Sequence, residues 1–445
     1  MSQLQNIYAL VRSKINPDSV TELGWVFAGQ AANVIFSFLI VKVLSSMGPK
    51  EYGTYALVVT IAVFVGMSFF GPLAQGFIRF YYHYLEKSVP ILFTGFVYKI
   101  LIAACIVLFV IAIILFGVSL TINLSEPAVF FLIAGIYIIT AKLTEFFNSL
   151  LNLIRKRKEN AILQGSEKLF TILFFLVLIH FKILELINVF LLLSVVMLAF
   201  SITKHIVFQK NLPEEQTVEK TFAINARSEM RLQLFGYMAP FLIWGFSGWL
   251  QLNGEKWIIN GLLSTYDVGI YAAMMALVNG LVIVPNNIIS DFATPIIFKQ
   301  YADMQNKESV NIGFHYIRLN MLVIFLLTVF STLFTWLWGR DLIILISSKE
   351  YIVYWYLLPF LCLGTGLFLT GQAQTVFGMA LNRPNKYLIP KVSIGIFSII
   401  LNFIFIKIFG ISGVAYTVLT VGLLYVIYIA LVNKRIRRAF EPGVS

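Results

Sequence analysis

Apolar runs of about 20 residues follow one another along most of the chain, and a run of that length crosses the hydrocarbon core of a bilayer as a helix. This excludes most folds. The composition agrees, with 59% hydrophobic and 12% charged residues against about 25% charged in ordinary soluble domains. Backbone in lipid must satisfy its own hydrogen bonds, so only helices or a closed barrel remain. A barrel would show alternating strands of about 10 residues, and none is seen. Twelve helices are predicted, near 22–46, 54–79, 91–117, 128–153, 161–181, 186–208, 232–262, 269–298, 312–338, 354–381, 388–408 and 412–433.

With the N-terminus on the cytoplasmic side, 23 of the 33 Lys and Arg residues fall in inner segments and five in outer loops. That asymmetry fits the positive-inside rule. It reads the net charge of +12 as an orientation signal, not a nucleic-acid surface. Arg155-Lys156-Arg157-Lys158 and Lys434-Arg435 are the clearest anchors. Cys105 and Cys362 lie inside apolar spans, so neither a disulfide nor a thiolate metal site is expected. The polar start, Met1 to Asp18, has no cleavable signal pattern.

The chain also reads as a half-protein written twice. Glu51-Tyr52-Gly53-Thr54-Tyr55-Ala56 recurs as Asp267-Val268-Gly269-Ile270-Tyr271-Ala272. Each copy falls between two apolar spans, where glycine suits a tight turn and the acid caps the next helix. The longest hydrophilic stretch, Gln209 to Arg231, contains Pro213-Glu214-Glu215. It divides an N-terminal six-helix lobe (1–208) and a linker (209–230) from a C-terminal lobe (231–445). An even number of helices per lobe makes the repeats parallel. Their pseudo-twofold then runs along the membrane normal, with a central cavity between the lobes.

Ionisable groups within spans cost about 2.5–3.5 kcal/mol at the helix centre. They are therefore paired, solvated or functional. Lys142, Glu145, Ser149 and Asn152 form one stripe, and Gln164, Glu167, Lys168 and Thr171 another on the next span. Glu145 and Lys168 lie equally far from the turn near Arg157, which predicts that they meet, with Lys142 left unpaired or reaching Glu167. Structural glue between helices is the alternative reading. Glu255-Lys256 follows Pro240, Gly245, Gly248 and Gly254 in a span expected to be bent or broken. At least one of the two residues is expected to face a cavity, unless both snorkel.

Lys42 lies off a Gln30, Asn33, Ser37 stripe and reads as a ligand contact or a snorkelling residue. Lys99 reads as a cavity residue, and Arg79 and Arg318 as anchors at the inner mouth. Asp291 follows Pro285-Asn286-Asn287 in a span expected to kink; it binds a coupling cation or answers a nearby base. Gln372 and Gln374 suit sugar hydroxyls or helix packing. Trp25, Tyr55, Trp244, Trp249, Trp257 and Tyr271 suit sugar stacking or an interfacial belt. The intramembrane charges lean basic, which suits a phosphate-bearing ligand. There is no Walker loop, no His-Glu-x-x-His helix and no external loop with an acidic pair. No cofactor or metal is called for, and an enzyme is not expected.

The stretch Arg231–Ala273 resembles bacterial polysaccharide and oligosaccharide flippases. It carries a Gly-x-x-x-Pro start, the Glu255-Lys256 pair where members more often have Asp-Arg, and Asp267-x-Gly-x-Tyr-Ala. Gly24–Arg79, with Glu51-Tyr52-Gly53-x-Tyr55, is similar to that family's opening helices. Leu153-Ile154-Arg155 resembles its junction between the fourth and fifth helices. The superfamily also holds multidrug and toxin extruders and peptidoglycan-precursor flippases. The resemblance implies translocation of an undecaprenyl-pyrophosphate-linked oligosaccharide, of O-antigen or a related surface polysaccharide. Movement would run from the cytoplasmic to the outer face of the bacterial inner membrane, by alternating access. It implies Lys142, Lys168, Lys256, Lys99, Lys42 and Arg79 as substrate-binding, and Glu145, Glu167, Glu255 and Asp291 as coupling or ion-pair residues. Its implied partners are the lipid-linked glycan, membrane lipids, and the polymerase and chain-length machinery. Both termini would be cytoplasmic. The rival readings are a multidrug cation extruder, a peptidoglycan lipid flippase and a membrane glycosyltransferase.

Overall fold

A computed structural model describes residues 17–87, 89–122, 126–212, 220–301, 307–381 and 383–440. Within its helices, side chains at 17–28, 30–31, 220–227, 243–244, 307–310 and 439–440 lie outside the description. Trp25, Gln30 and Trp244 are therefore not placed, nor are Met1 to Asn16 and the Pro213-Glu214-Glu215 stretch.

The described residues are helical, with no strand among them. We label the helices α1 (Pro17–Ser45), α2 (Pro49–Glu86), α3 (Pro90–Thr121), α4 (Ala128–Leu153), α5 (Arg157–His180) and α6 (Leu186–Gln209). The second half of the chain forms α7 (Lys220–Leu262), α8 (Thr265–Gln300), α9 (Lys307–Ile346), α10 (Lys349–Ala380), α11 (Pro384–Phe409) and α12 (Ser412–Phe440). Among the described residues, ten helices are long and apolar enough to cross a membrane; α1 offers the shorter apolar stretch Ala32–Ser45, and α7 is not among the ten. The helices end where the chain chemistry stops them. Pro90 opens α3, and Arg155, at φ 60°, turns α4 into α5.

Two compact units emerge. Unit one holds 1–40 and 61–245, and unit two holds 41–60 and 246–445. The boundaries thus fall inside α1, α2 and α7. Unit one is centred on stacked rings: Phe77, Phe93, Phe146 and Phe208 are all buried, and Phe77 and Phe93 stack at 5.5 Å. In the same unit Tyr84 donates to Gln233 at 3.0 Å, and Lys87 pairs with Glu229 at 3.1 Å. Unit two buries Tyr301, Phe377, Tyr387 and Tyr425, with Phe368 stacked on Tyr425 at 4.4 Å.

The repeated hexapeptides meet each other inside unit two. A Cβ on Gly53 would lie 1.9 Å from the Thr265 carbonyl oxygen, and one on Gly269 would lie 1.8 Å from that of Pro49. Each Cβ would also stand 3.0 Å from the other glycine's nitrogen. Pro49 precedes Gly53 by the same four residues by which Thr265 precedes Gly269. The contact is therefore reciprocal, as a local two-fold requires. Small residues are what let two helix backbones approach this closely.

This corrects the turn role expected of Gly53 and Gly269, because both lie within helices. The left-handed glycine of the α1–α2 turn is Gly48, at φ 103°. The acid sits in the first helical turn in both copies. Before α8 the cap itself is Ser264, whose hydroxyl accepts from the Asp267 N–H at 3.2 Å, while the two side chains bond at 2.5 Å. The serine thus caps the helix N-terminus, and the Asp267 charge suits its positive end.

A second correspondence is invisible in the hexapeptides. Both α2 and α8 contain a five-residue π turn, Gly66–Phe70 and Asn279–Ile283, and each ends two residues before a proline, Pro72 and Pro285. Proline has no N–H to donate to the carbonyl four residues back. In α8 that carbonyl belongs to Leu281, and the Ser331 hydroxyl of α9 donates to it at 3.0 Å. The irregularity expected at Pro285-Asn286-Asn287 thus sits one turn earlier, as a π turn. The helix α7, expected to be bent or locally broken, is unbroken, one helix of 43 residues with Pro240 inside it. Prolines are tolerated inside membrane helices where local adjustment and neighbours satisfy the freed carbonyl.

Candidate functional site

The charged stripes of α4 and α5 form the richest polar cluster of unit one. Lys142 and Lys168 lie 11 residues from the α4 and α5 ends nearest their shared turn, Leu153 and Arg157. That places both about 16 Å along their helices, at 1.5 Å per residue, or about half the depth of a hydrocarbon core of ~30 Å. Glu145 and Lys168, expected to share a level, do not: Glu145 stands eight residues from its end of α4, about 4.5 Å nearer the turn than Lys168.

The predicted Glu145–Lys168 pairing is absent as well. Lys142 Nζ, 4% exposed, bonds Glu145 Oε1 at 2.6 Å within α4. Residues three apart share a helix face, and the lysine does not need another helix. The pair lies against the π turn of α2: a Cβ on Gly66 would stand 3.0 Å from Lys142 Nζ and 3.5 Å from Glu145 Oε2. Glycine at the start of that turn makes the room. Glu145 keeps an open side, with 60% of its side chain exposed.

On α5, Glu167 and Lys168 are adjacent and point about 100° apart. Glu167 turns to α6, where the fully buried Lys204 bonds its Oε2 at 2.6 Å. Lys168 turns to α1, donating to Ser37 Oγ at 2.7 Å and the Asn33 carbonyl at 3.2 Å. The Asn33–Ser37 stripe read from the sequence is thus the lysine's cradle. Both acceptors are neutral, and among the described residues no carboxylate lies within ion-pairing distance of Lys168. Three lysines face two glutamates, leaving one positive charge in excess.

Lys204 escaped the sequence analysis because it lies in the last turns of α6, where a lysine is read as an inner anchor. Its signal was position: it stands five residues inside the helix end, in a span otherwise rich in apolar residues.

The other expected residues lie elsewhere. In unit two Lys42 donates to the Ile344 and Ser347 carbonyls at 2.6 and 2.5 Å, capping the end of α9; a cation there satisfies orphan carbonyls and suits the negative end of the helix. Glu255 is buried and accepts from the Tyr271 hydroxyl at 3.4 Å, while Lys256 donates to Asn253 at 3.1 Å. Trp249 and Trp257 donate to the Thr60 carbonyl and hydroxyl at 2.6 and 2.9 Å, and Tyr271 is buried, so these rings are engaged in packing. Arg79, Lys99, Asp291 and Arg318 are exposed. Among the described residues no group of three or more His, Cys, Asp or Glu side chains is arranged to hold a metal ion.

A bundle of apolar helices, ten of them long enough to cross a membrane, with charged pairs inside it, defines a class: a multi-pass helical membrane protein. Solved structures share the fold. The chain is similar to an inward-facing multidrug resistance MATE family transporter of the MOP superfamily, with a TM-score of 0.69, 10% identity, and 94% of this chain and 96% of that one covered. It is also similar to the lipid II flippase MurJ in an inward closed conformation, at 0.63, 15%, 94% and 88%. A third, at 0.55, 12%, 92% and 93%, is a MOP superfamily transporter from Pyrococcus furiosus described by the reversed polarity of its binding pocket. At these identities the likeness shows the fold, which is that of transporters and a flippase. No protein-family model and no curated protein matches the chain.

Proposed function

We propose that this protein is a flippase for an anionic lipid-linked saccharide, translocating undecaprenyl-pyrophosphate-linked oligosaccharide units of O-antigen or a related surface polysaccharide. Lys168 carries this reading. It is a cation at mid-depth, held by a hydroxyl and a carbonyl, with its neighbouring carboxylate committed to Lys204. A charge in that position is retained for function or for a partner, and a pyrophosphate is the partner its chemistry favours. Lys142, beside Gly66, is the second contact, released when Glu145 gives way to the ligand or takes a proton.

In this reading twelve spans form two six-helix lobes, 1–208 and 231–445, joined by the linker 209–230. The termini are cytoplasmic and the membrane is the bacterial inner membrane. Lys99, Lys256, Lys42 and Arg79 contribute to the attraction of the headgroup, and Glu167, Glu255 and Asp291 to ion pairing or coupling. The polymerase and chain-length machinery take the product.

A multidrug cation extruder is the reading that the MATE likeness favours, and the MurJ likeness favours a peptidoglycan-precursor flippase. The cationic excess around Lys168 speaks against the first. Proteoliposomes discriminate among the three. The purified chain is expected to flip an undecaprenyl-pyrophosphate oligosaccharide and to leave an ethidium gradient untouched, with Lys168→Gln reducing flipping at least tenfold. Ethidium export, or flipping restricted to the peptidoglycan precursor, defeats the proposal.

A further inference from the structure

We infer that a groove formed by α3, α4 and α6 within unit one binds one hydrocarbon chain of an anionic phospholipid. The groove has a volume of about 700 Å³. It runs from Tyr98 to Phe109 on α3 and from Phe147 to Ile136 on α4. Each stretch is 12 residues, about 16 Å over 11 rises of 1.5 Å, roughly one leaflet of a hydrocarbon core ~30 Å thick.

The two ends differ. At one, Tyr98, Phe147 and His205 pack as a triangle with centroids 6.2, 5.3 and 5.3 Å apart, and the Tyr98 hydroxyl shares a hydrogen bond of 3.2 Å with His205 Nδ1. Ser201, also in the lining, bonds Thr144 at 2.6 Å. At the other end only apolar groups remain: Phe109, Ile136 and Leu198. The α3 and α6 rims, Ile102, Ile106 and Ile202, are each more than half exposed, so the groove opens sideways onto the surface these helices give the bilayer.

Volume and polarity choose the occupant. A helix about 10 Å wide and 16 Å long fills about 1,300 Å³, nearly twice the space, so a transmembrane helix of another protein does not fit. A single chain does. One polar end and one apolar end match an amphiphile whose headgroup rests at Tyr98 and His205. Lys99 is exposed and next to Tyr98 on α3, outside the lining itself; its long side chain can bring a positive charge to a headgroup at that end, which favours an anionic one. The groove lies within one unit, so its occupancy does not depend on the function proposed above.

The test uses the full chain in detergent micelles with a phosphatidylglycerol carrying a diazirine on one acyl chain. Photolabelling is expected to concentrate in peptides 98–109 and 136–147, to be competed by unlabelled phosphatidylglycerol, and to be competed at least tenfold less well by phosphatidylcholine of the same chains. Lys99→Gln, an exposed change that leaves the core intact, is expected to erase that preference. Leu198→Trp, which fills the apolar end, is expected to abolish labelling there while the melting temperature holds. Labelling spread evenly over the exposed faces of α5 and α9 overturns the site. Equal competition by phosphatidylcholine overturns the headgroup assignment. Competition by undecaprenyl phosphate but not phosphatidylglycerol overturns the choice of lipid.

Discussion

The α4–α6 region of unit one and the α10–α12 region of unit two solve one problem with different chemistry. Both must hold membrane-embedded helices together around polar groups. In α4–α6 the polar groups are charges: Lys142 with Glu145, and Lys204 with Glu167. In α10–α12 a set of neutral groups does this. Tyr425 donates to Gln372 at 2.8 Å, Asn433 to the Gln374 carbonyl at 2.9 Å, and the Tyr387 hydroxyl links Asn433 to the Gly378 N–H. Neutral bonds are enough to join the helices. Charges at the same task carry a desolvation cost that packing alone does not require. The proposed headgroup site follows these charged pairs into α4–α6.

The sharpest way to break this comparison is Lys204→Ala. It leaves Glu167 buried without its cation, which costs about 3–5 kcal/mol. A large fall in melting temperature in detergent is expected, with recovery in the double variant Glu167→Leu, Lys204→Leu. A small fall would show that the pair is not load on the fold.

Next comes the contact between the repeat copies. Gly53→Ala and Gly269→Ala each press a methyl into a backbone carbonyl, at the 1–3 kcal/mol typical of overpacking, roughly. Because the contact is reciprocal, the two variants are expected to lose the same amount by thermal unfolding. Unequal losses would show that the local two-fold is not an energetic one.

Lys168→Gln follows. Its partners are neutral, so no buried charge is stranded. The melting temperature is expected to hold while flipping in proteoliposomes falls at least tenfold, about 1.4 kcal/mol. If both stay at the wild-type level, the lysine is structural and the cationic site is lost.

The smallest effect is expected in α10–α12. Tyr425→Phe removes one neutral hydrogen bond, worth about 1 kcal/mol, and leaves transport unchanged. A transport defect there would erase the functional difference between the two regions.

Much of this was legible in the residues. Apolar run length identified membrane helices. The α4 and α5 stripes did mark the polar cluster. What failed was direction. Glu145 and Lys168 face different partners, since Glu167 and Lys168 diverge and the cradle for Lys168 came from α1. Lys204 was hidden by its nearness to a helix end. The glycines of the repeat were legible as special but not as the helix contact they make, and the π turns had only Pro72 and Pro285 as their trace.

The sequence by itself determined the solvent this chain folds in, the helices that follow from it and the internal repeat. Each depends on a local rule: run length against bilayer thickness, rise per residue, and hydrogen bonds closed within a segment. Tertiary structure decided which cation met which anion, that Gly53 would face Gly269, and that Lys168 would be left with neutral partners. Those outcomes depend on the rotation of one helix against another. Packing of whole helix surfaces sets that rotation, and the local spacing of polar residues does not.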